Sequence, residues 1–191
     1  DHFNIENLNA LMLAIRNENK EIIQLLIEKG CDINATNKNG LWALQIAATL
    51  ENKEIFQRLL YRTNNIYAVL MFACENGCND LIKLCLKEGA NPNPKKQRKT
   101  TPLISAASKG NNEAISLLLE YNAKINGIQD NGRDSLMIAT GYNRIEIARI
   151  LLENGIKIHT TDDQGWSAFL IACHYGHTEI VKMLIEKLTN L

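Results

Sequence analysis

Proline, glycine and aromatic residues are scarce, with 3 prolines, 11 glycines and only 6% Phe, Trp and Tyr in 191 residues. That scarcity excludes a Gly/Pro-rich linker, a collagen-like chain or a low-complexity tract. Net charge is missing too: 21 basic side chains stand against 21 acidic ones. A neutral chain has no bulk attraction for nucleic acid or for an anionic membrane surface. No apolar run approaches the roughly 18 residues that a membrane-spanning helix needs, and the first residues do not read as a charged-then-apolar leader. The chain opens at Asp1 rather than at methionine, which suggests a piece of a longer protein. What is present, 46% hydrophobic and 22% charged residues, suits one soluble compact domain with a buried core.

Self-similarity organises these residues. The segment ALMLAI around Leu11 returns as ALQIAA at Leu44, VLMFAC at Leu70, PLISAA at Leu103, SLMIAT at Leu136 and AFLIAC at Phe169. Successive spacings are 33, 26, 33, 33 and 33 residues. A second, leucine-rich segment follows each: EIIQLLIEKG, EIFQRLL, DLIKLCLKEG, EAISLLLEYN, IEIARILLENG and EIVKMLIEK. The chain is therefore one motif repeated six times.

Each unit reads as two short antiparallel helices. The first has alanine at one fixed slot, Ala14, Ala47, Ala73, Ala106, Ala139 and Ala172, where a small side chain allows its partner helix to approach closely. The second spaces its apolar residues helically, as in Ile22, Ile23, Leu25 and Leu26. It ends at Gly30, Gly89 or Gly155, or at Asn122, residues suited to a left-handed C-cap. Asn37–Gly40, Asp130–Gly132 and Asp162–Gly165 carry turn chemistry between units. A unit this small cannot bury its own apolar faces, so its stability must come from stacking on neighbours.

These segments resemble the ankyrin repeat family over essentially the whole chain. The family pattern runs from a glycine turn through TPLHxAA to a leucine-rich helix and GADVNA. Here Thr101-Pro102-Leu103 with Ala106-Ala107, Gly30 to Ala35, and Gly176-His177 with Glu179-Ile180-Val181 match it. The resemblance implies an all-α solenoid of six stacked helix-turn-helix units with projecting fingers. Its approximate repeats are 4–36, 37–63, 64–95, 96–128, 129–161 and 162–191, in a single domain. The motif histidine is absent throughout, replaced by Met12, Gln45, Met71, Ile104, Met137 and Leu170. In the family that imidazole hydrogen-bonds the turns between repeats, so less rigid turns are expected here. The second repeat is the irregular one: no finger follows Leu59-Leu60, and Arg58 takes a slot that is apolar elsewhere. It is either a tolerated deletion with the Arg58 head in water, or a change in stacking angle that shapes a binding surface.

Little in the sequence points to catalysis. Cys74, Cys78 and Cys85 lack paired CxxC spacing. Cys74 and Cys173 share a small-residue slot with Ala48 and Ala107, Cys31 shares one with Ala90 and Ala123, and Cys85 sits where Leu26 and Leu118 do. All therefore read as small buried hydrophobes, and several unpaired thiols suggest a reducing intracellular compartment, the cytoplasm or a host cytosol. His174 and His177 form an HxxH, but no third ligand accompanies them, and His177 falls where the family often has histidine at the start of a second helix. No nucleophile elbow, P-loop or dinucleotide fingerprint occurs, and the carboxylates do not converge. No catalytic residue, cofactor or metal is expected.

Recognition remains. Ankyrin proteins generally bind partners on the concave side, through finger tips and the exposed face of the first helix. Transferred by register, those positions include Arg16, Asn17, Lys38, Leu41, Thr49, Leu50, Tyr67, Glu75 and Asn76 in the first half. In the second half they include Gln97, Thr100, Ser108, Asp130 and Asp163, together with Arg98, Lys109, Arg133, Tyr142, Trp166, His174 and Tyr175. The last seven are the expected partner-binding residues, because Tyr, Trp and Arg are frequent hot spots and cluster in repeats four to six. The run Pro94 to Lys99, with Lys109 and Arg133, would make a basic strip for an acidic segment of a protein partner. The alternatives are a nucleic acid or phosphorylated ligand on that strip, or the targeting segment of a larger enzyme or effector. A monomer is expected.

Overall fold

The computed structural model describes residues 8–36, 43–50, 53–60, 62, 66–93 and 100–189. Among them lie twelve helices, in pairs: α1 (Ala10–Arg16) and α2 (Lys20–Glu28), α3 (Ala43–Thr49) and α4 (Lys53–Leu60), α5 (Ile66–Asn76) and α6 (Asn79–Lys87). There follow α7 (Pro102–Lys109) and α8 (Asn112–Glu120), α9 (Ser135–Gly141) and α10 (Ile145–Glu153), and α11 (Ala168–Tyr175) and α12 (Thr178–Thr189). An isolated extended bridge pairs Ile128 with Asp134.

Capping explains where six of these helices begin. Side chains of Asn9, Asn19, Thr101, Asn111, Asp134 and Ser167 each accept a hydrogen bond from the backbone N–H three residues on. Each such cap is worth about 1 kcal/mol. The second helices end as the sequence suggests, with Gly30, Gly89, Gly155 and Asn122 all at positive φ.

The chain divides into two compact units, residues 1–69 and 70–191. In the first, α1 packs on α2 and α3, and α3 packs on α4. In the second, first helices stack on first helices, α7 on α9 and α9 on α11, while second helices stack as α6 on α8, α8 on α10 and α10 on α12. The alanine slot lies at the heart of every pair: Ala47, Ala73, Ala106, Ala139 and Ala172 are wholly buried, and Ala14 nearly so.

The motif histidine's slot is apolar and buried at Met12, Ile104 and Met137. Asparagine ties the neighbouring turns together instead. Asn93 Oδ1 accepts from Lys124 N at 2.7 Å while its Nδ2 donates to the Asn122 carbonyl at 2.8 Å. One repeat later, Asn126 Oδ1 accepts from Lys157 N at 2.9 Å. In the short second repeat, Arg58 is half exposed and pairs with Glu54 at 3.2 Å, so its head does lie in water. Such an exposed pair adds little stability.

Two expectations of burial fail. Cys74 and Cys85 are buried, and burial pushes the Cys85 thiol up to about 12. Cys31 and Cys78 are only partly covered, and Cys173 is exposed. The slot of Cys173 is buried at Cys74, Ala107 and Thr140, each of which has another helix pair after it. The same holds at the other end, where Ile22 and Leu25 are about half exposed despite their helical spacing.

Candidate partner-binding surface

Two register positions supply most of the expected surface, one residue per repeat. Thr100, Arg133 and Trp166 lie where each finger returns to its first helix, and Lys109, Tyr142 and Tyr175 lie at the end of α7, α9 and α11. Lys109, Tyr142 and Tyr175 are all exposed, the two tyrosines at 59% and 61%. Lys109 also borders an open depression of about 510 Å³ between the α5–α6 and α7–α8 turns, with Glu75, Asn76 and Asn111 on its walls.

The fifth and sixth fingers are built as interlocked turns. In the fifth, Gln129 N donates to the Arg133 carbonyl at 3.0 Å and Gly132 N to the Gln129 carbonyl at 2.9 Å. In the sixth, Asp162 N donates to the Trp166 carbonyl, and Asp162 Oδ1 accepts from Gln164 N and Trp166 N. The two fingers touch closely. Asp163 N donates to the Asn131 carbonyl at 3.1 Å, and Arg133 Nε donates to Asp162 Oδ2 at 2.9 Å. A Cβ on Gly132 would meet Asp163 Oδ1 at 2.8 Å and Asp163 N at 3.0 Å, and φ is +78° there. Glycine at 132 is thus demanded both by the backbone and by the neighbouring finger.

Electrostatics support this interlock. Burial alone would raise the Asp162 carboxyl, but Trp166 N–H, Arg133 and Gln164 N–H together hold it below the ordinary carboxylate range. A lowered folded pKa means that its contribution is present above the ordinary aspartate range and lost as pH falls through the lowered value. Arg133 is therefore committed first to the sixth finger, and only its partly exposed remainder faces outward.

Asp134 behaves oppositely. It caps α9 through Met137 N at 2.9 Å and accepts from Thr160 Oγ1 at 2.6 Å, yet it is 2% exposed and burial raises its pKa. Its stabilising contribution is complete below the ordinary aspartate range and fades as pH rises through the raised folded value. Asp134→Asn keeps an oxygen for the cap, as Asn9 does for α1 with a 2.9 Å bond from Met12 N, and removes the buried charge. The variant is expected to melt higher than wild type at neutral pH, with the gap closing on acidification. Thermal unfolding at several pH values checks this; an unchanged gap would contradict the burial effect.

Three of the expected residues come together. The rings of Trp166 and His174 lie 5.2 Å apart edge to face, and those of His174 and Tyr175 4.9 Å apart. A fourth ring, His177, stacks on Tyr175 at 5.8 Å and 20°. Gly176 makes this possible: its left-handed φ of 72° ends α11 and turns the chain between the two stacked rings. His177 Nε2 is buried without a hydrogen-bond partner. Sequence reasoning gave His177 a purely structural place; the HxxH spacing was the signal, but it pointed to metal rather than to a ring stack. Tyr142 shares no ring contact with this cluster among the described residues. Arg98, with the rest of the run 94–99, and Lys38, Leu41 and Trp42 lie outside the described residues.

Among the described residues no group of three or more His, Cys, Asp and Glu side chains is placed to hold a metal ion. None of the described helices is long and apolar enough to cross a membrane.

A family model described as ankyrin repeats in three copies matches residues 1–68 and 70–162, and a single ankyrin repeat model matches residues 164–191. Among solved structures, the fold is similar to an ankyrin repeat domain from Acinetobacter baumannii, with a TM-score of 0.77. The two share 23% sequence identity over 93% of this chain and 96% of the other. No curated protein matches the sequence.

Proposed function

Because the chain belongs to the ankyrin repeat family, whose members are generally protein–protein interaction modules, we propose that it is a non-enzymatic adaptor that binds a protein partner. The contact surface is the concave face of repeats four to six, formed by fingers and first-helix ends. The observation that carries this reading is the contiguous Trp166–His174–Tyr175 cluster, whose rings contact one another beside a strongly exposed Tyr175. Aromatic rings already ordered by mutual contact lose little conformational freedom on binding and offer large apolar area with polar edges. Lys109 and Arg98 supply positive charge for an acidic segment of the partner; Arg133 contributes less, since Asp162 already holds it. The six repeats act as a single domain in a reducing intracellular compartment.

Affinity capture from nuclease-treated lysate tests the proposal, comparing wild type with Tyr175→Ala and Trp166→Ala. Truncation at a hot spot of about 2 kcal/mol weakens binding about 30-fold. A protein retained by wild type and lost from both variants, with circular dichroism unchanged, is the expected result. Retention by all three would move the site off this cluster, and capture abolished by nuclease would favour nucleic acid.

A further inference from the structure

Just before the second helix, one slot of the repeat holds Asn19, Asn111 and Arg144 in the first, fourth and fifth units. Asn19 and Asn111 cap their helices, accepting from Ile22 N at 3.1 Å and from Ala114 N at 3.0 Å. Arg144 gives α10 no side-chain cap. Arginine is a poor choice there, since it offers no acceptor to the helix start and sets a positive charge at the positive end of the helix dipole. Its side chain lies instead across Gly110 of the preceding repeat. A Cβ on Gly110 would fall 2.9 Å from Arg144 Cζ and Nε, so the guanidinium rests on bare backbone, next to Lys109 in the chain. Arg144 and Lys109 are both exposed, and among the described residues neither pairs with a carboxylate. Two neighbouring acids are engaged elsewhere: Glu113 accepts from Asn79 Nδ2 at 2.5 Å, and Glu146 pairs with Arg149 at 3.4 Å. Tyr142, two residues before Arg144, is 59% exposed. A slot that gives up a cap to hold one unpaired cation beside another works against folding, and such local conflicts mark functional sites.

We infer that Arg144 is a partner anchor, which together with Lys109 holds a carboxylate side chain of an acidic protein segment. This rests on the protein-binding role proposed above and adds a residue that register alone did not single out. It also moves the cationic part of the surface from Arg133, already held by Asp162, to Arg144. A planar guanidinium can take both oxygens of one carboxylate, and the flexible ammonium of Lys109 adds a second positive charge. Glu75, Glu113 and Glu146, at the neighbouring helix ends, disfavour the continuous row of phosphates that a nucleic acid would bring.

Fluorescence anisotropy of labelled hexaglutamate tests the inference, with hexaglutamine and hexathymidylate as comparators. Wild type is expected to bind hexaglutamate in a salt-sensitive way and to ignore hexaglutamine. Arg144→Asn and Lys109→Gln are each expected to weaken that binding about five-fold, the upper end for an exposed ion pair. Arg144→Asn also installs the capping residue found at Asn111, so it is expected to melt higher than wild type while binding less. No hexaglutamate binding, or undiminished binding by Arg144→Asn, would overturn the inference. So would a lower melting temperature for that variant, which would make Arg144 a structural residue, or tighter binding of hexathymidylate than of hexaglutamate. Adding Arg144→Asn to the capture experiment separates this inference from the adaptor reading. A partner lost from Tyr175→Ala but kept by Arg144→Asn would refute the anchor and leave the aromatic site standing. A partner kept by Tyr175→Ala but lost from Arg144→Asn would support the anchor and move the site off the rings.

Discussion

Leu136→Ala is expected to lower the unfolding free energy by about 2–5 kcal/mol, the range for deleting a fully buried leucine side chain. Leu136 has no solvent exposure and sits on α9, which packs against α7, α10 and α11 together. The loss combines forfeited apolar burial with a cavity that three helices border and cannot readily close. In a nearest-neighbour array the damage is also local. Amide exchange is expected to accelerate most in repeats four to six and least in α1 and α2. Denaturant titration measures the size of the effect and exchange measures its spread; uniform acceleration along the chain would contradict the repeat description.

Ala106→Leu is expected to cost about 1–3 kcal/mol for the opposite reason, overpacking. Ala106 is fully buried on α7, flanked by buried Ile104, Ser105 and Ala107, and α8 packs directly on this helix. A leucine there must push α8 away or leave its preferred rotamer. Because the slot recurs, Ala139→Leu should behave alike between α9 and α10. Unchanged thermal stability in both variants would show that the alanine register does not set the distance between paired helices.

Much of this fold is legible in the amino-acid sequence because its information is periodic. The phase of Leu11, Leu44, Leu70, Leu103, Leu136 and Phe169 locates the first helices, and the glycines and Asn122 locate the ends of the second. These signals lie within a few residues of each other and act through backbone preferences and local side-chain size. The proposed partner surface is legible only as positions. Register alone places Trp166, His174 and Tyr175 on it, but their ring contacts depend on how Gly176 turns the chain and how the sixth finger returns to α11. Arg133 reads as a free basic anchor because nothing local ties it to Asp162, 29 residues away. Asp134 is not legible as a buried carboxylate, since its burial comes from the packing around it.

By itself the sequence determined the repeat, its helix pairs, their caps and the small-residue slots, all of which follow from short-range chemistry repeated at 33 residues. Only the tertiary structure decided which copies of a slot are covered. Cys173 and Thr140 occupy equivalent places, as do Ile185 and Leu152, and one of each pair is exposed while the other is buried. The physical reason is that a repeat's burial is supplied by its neighbours, so identical local patterns have different surroundings in the middle of the array and at its ends.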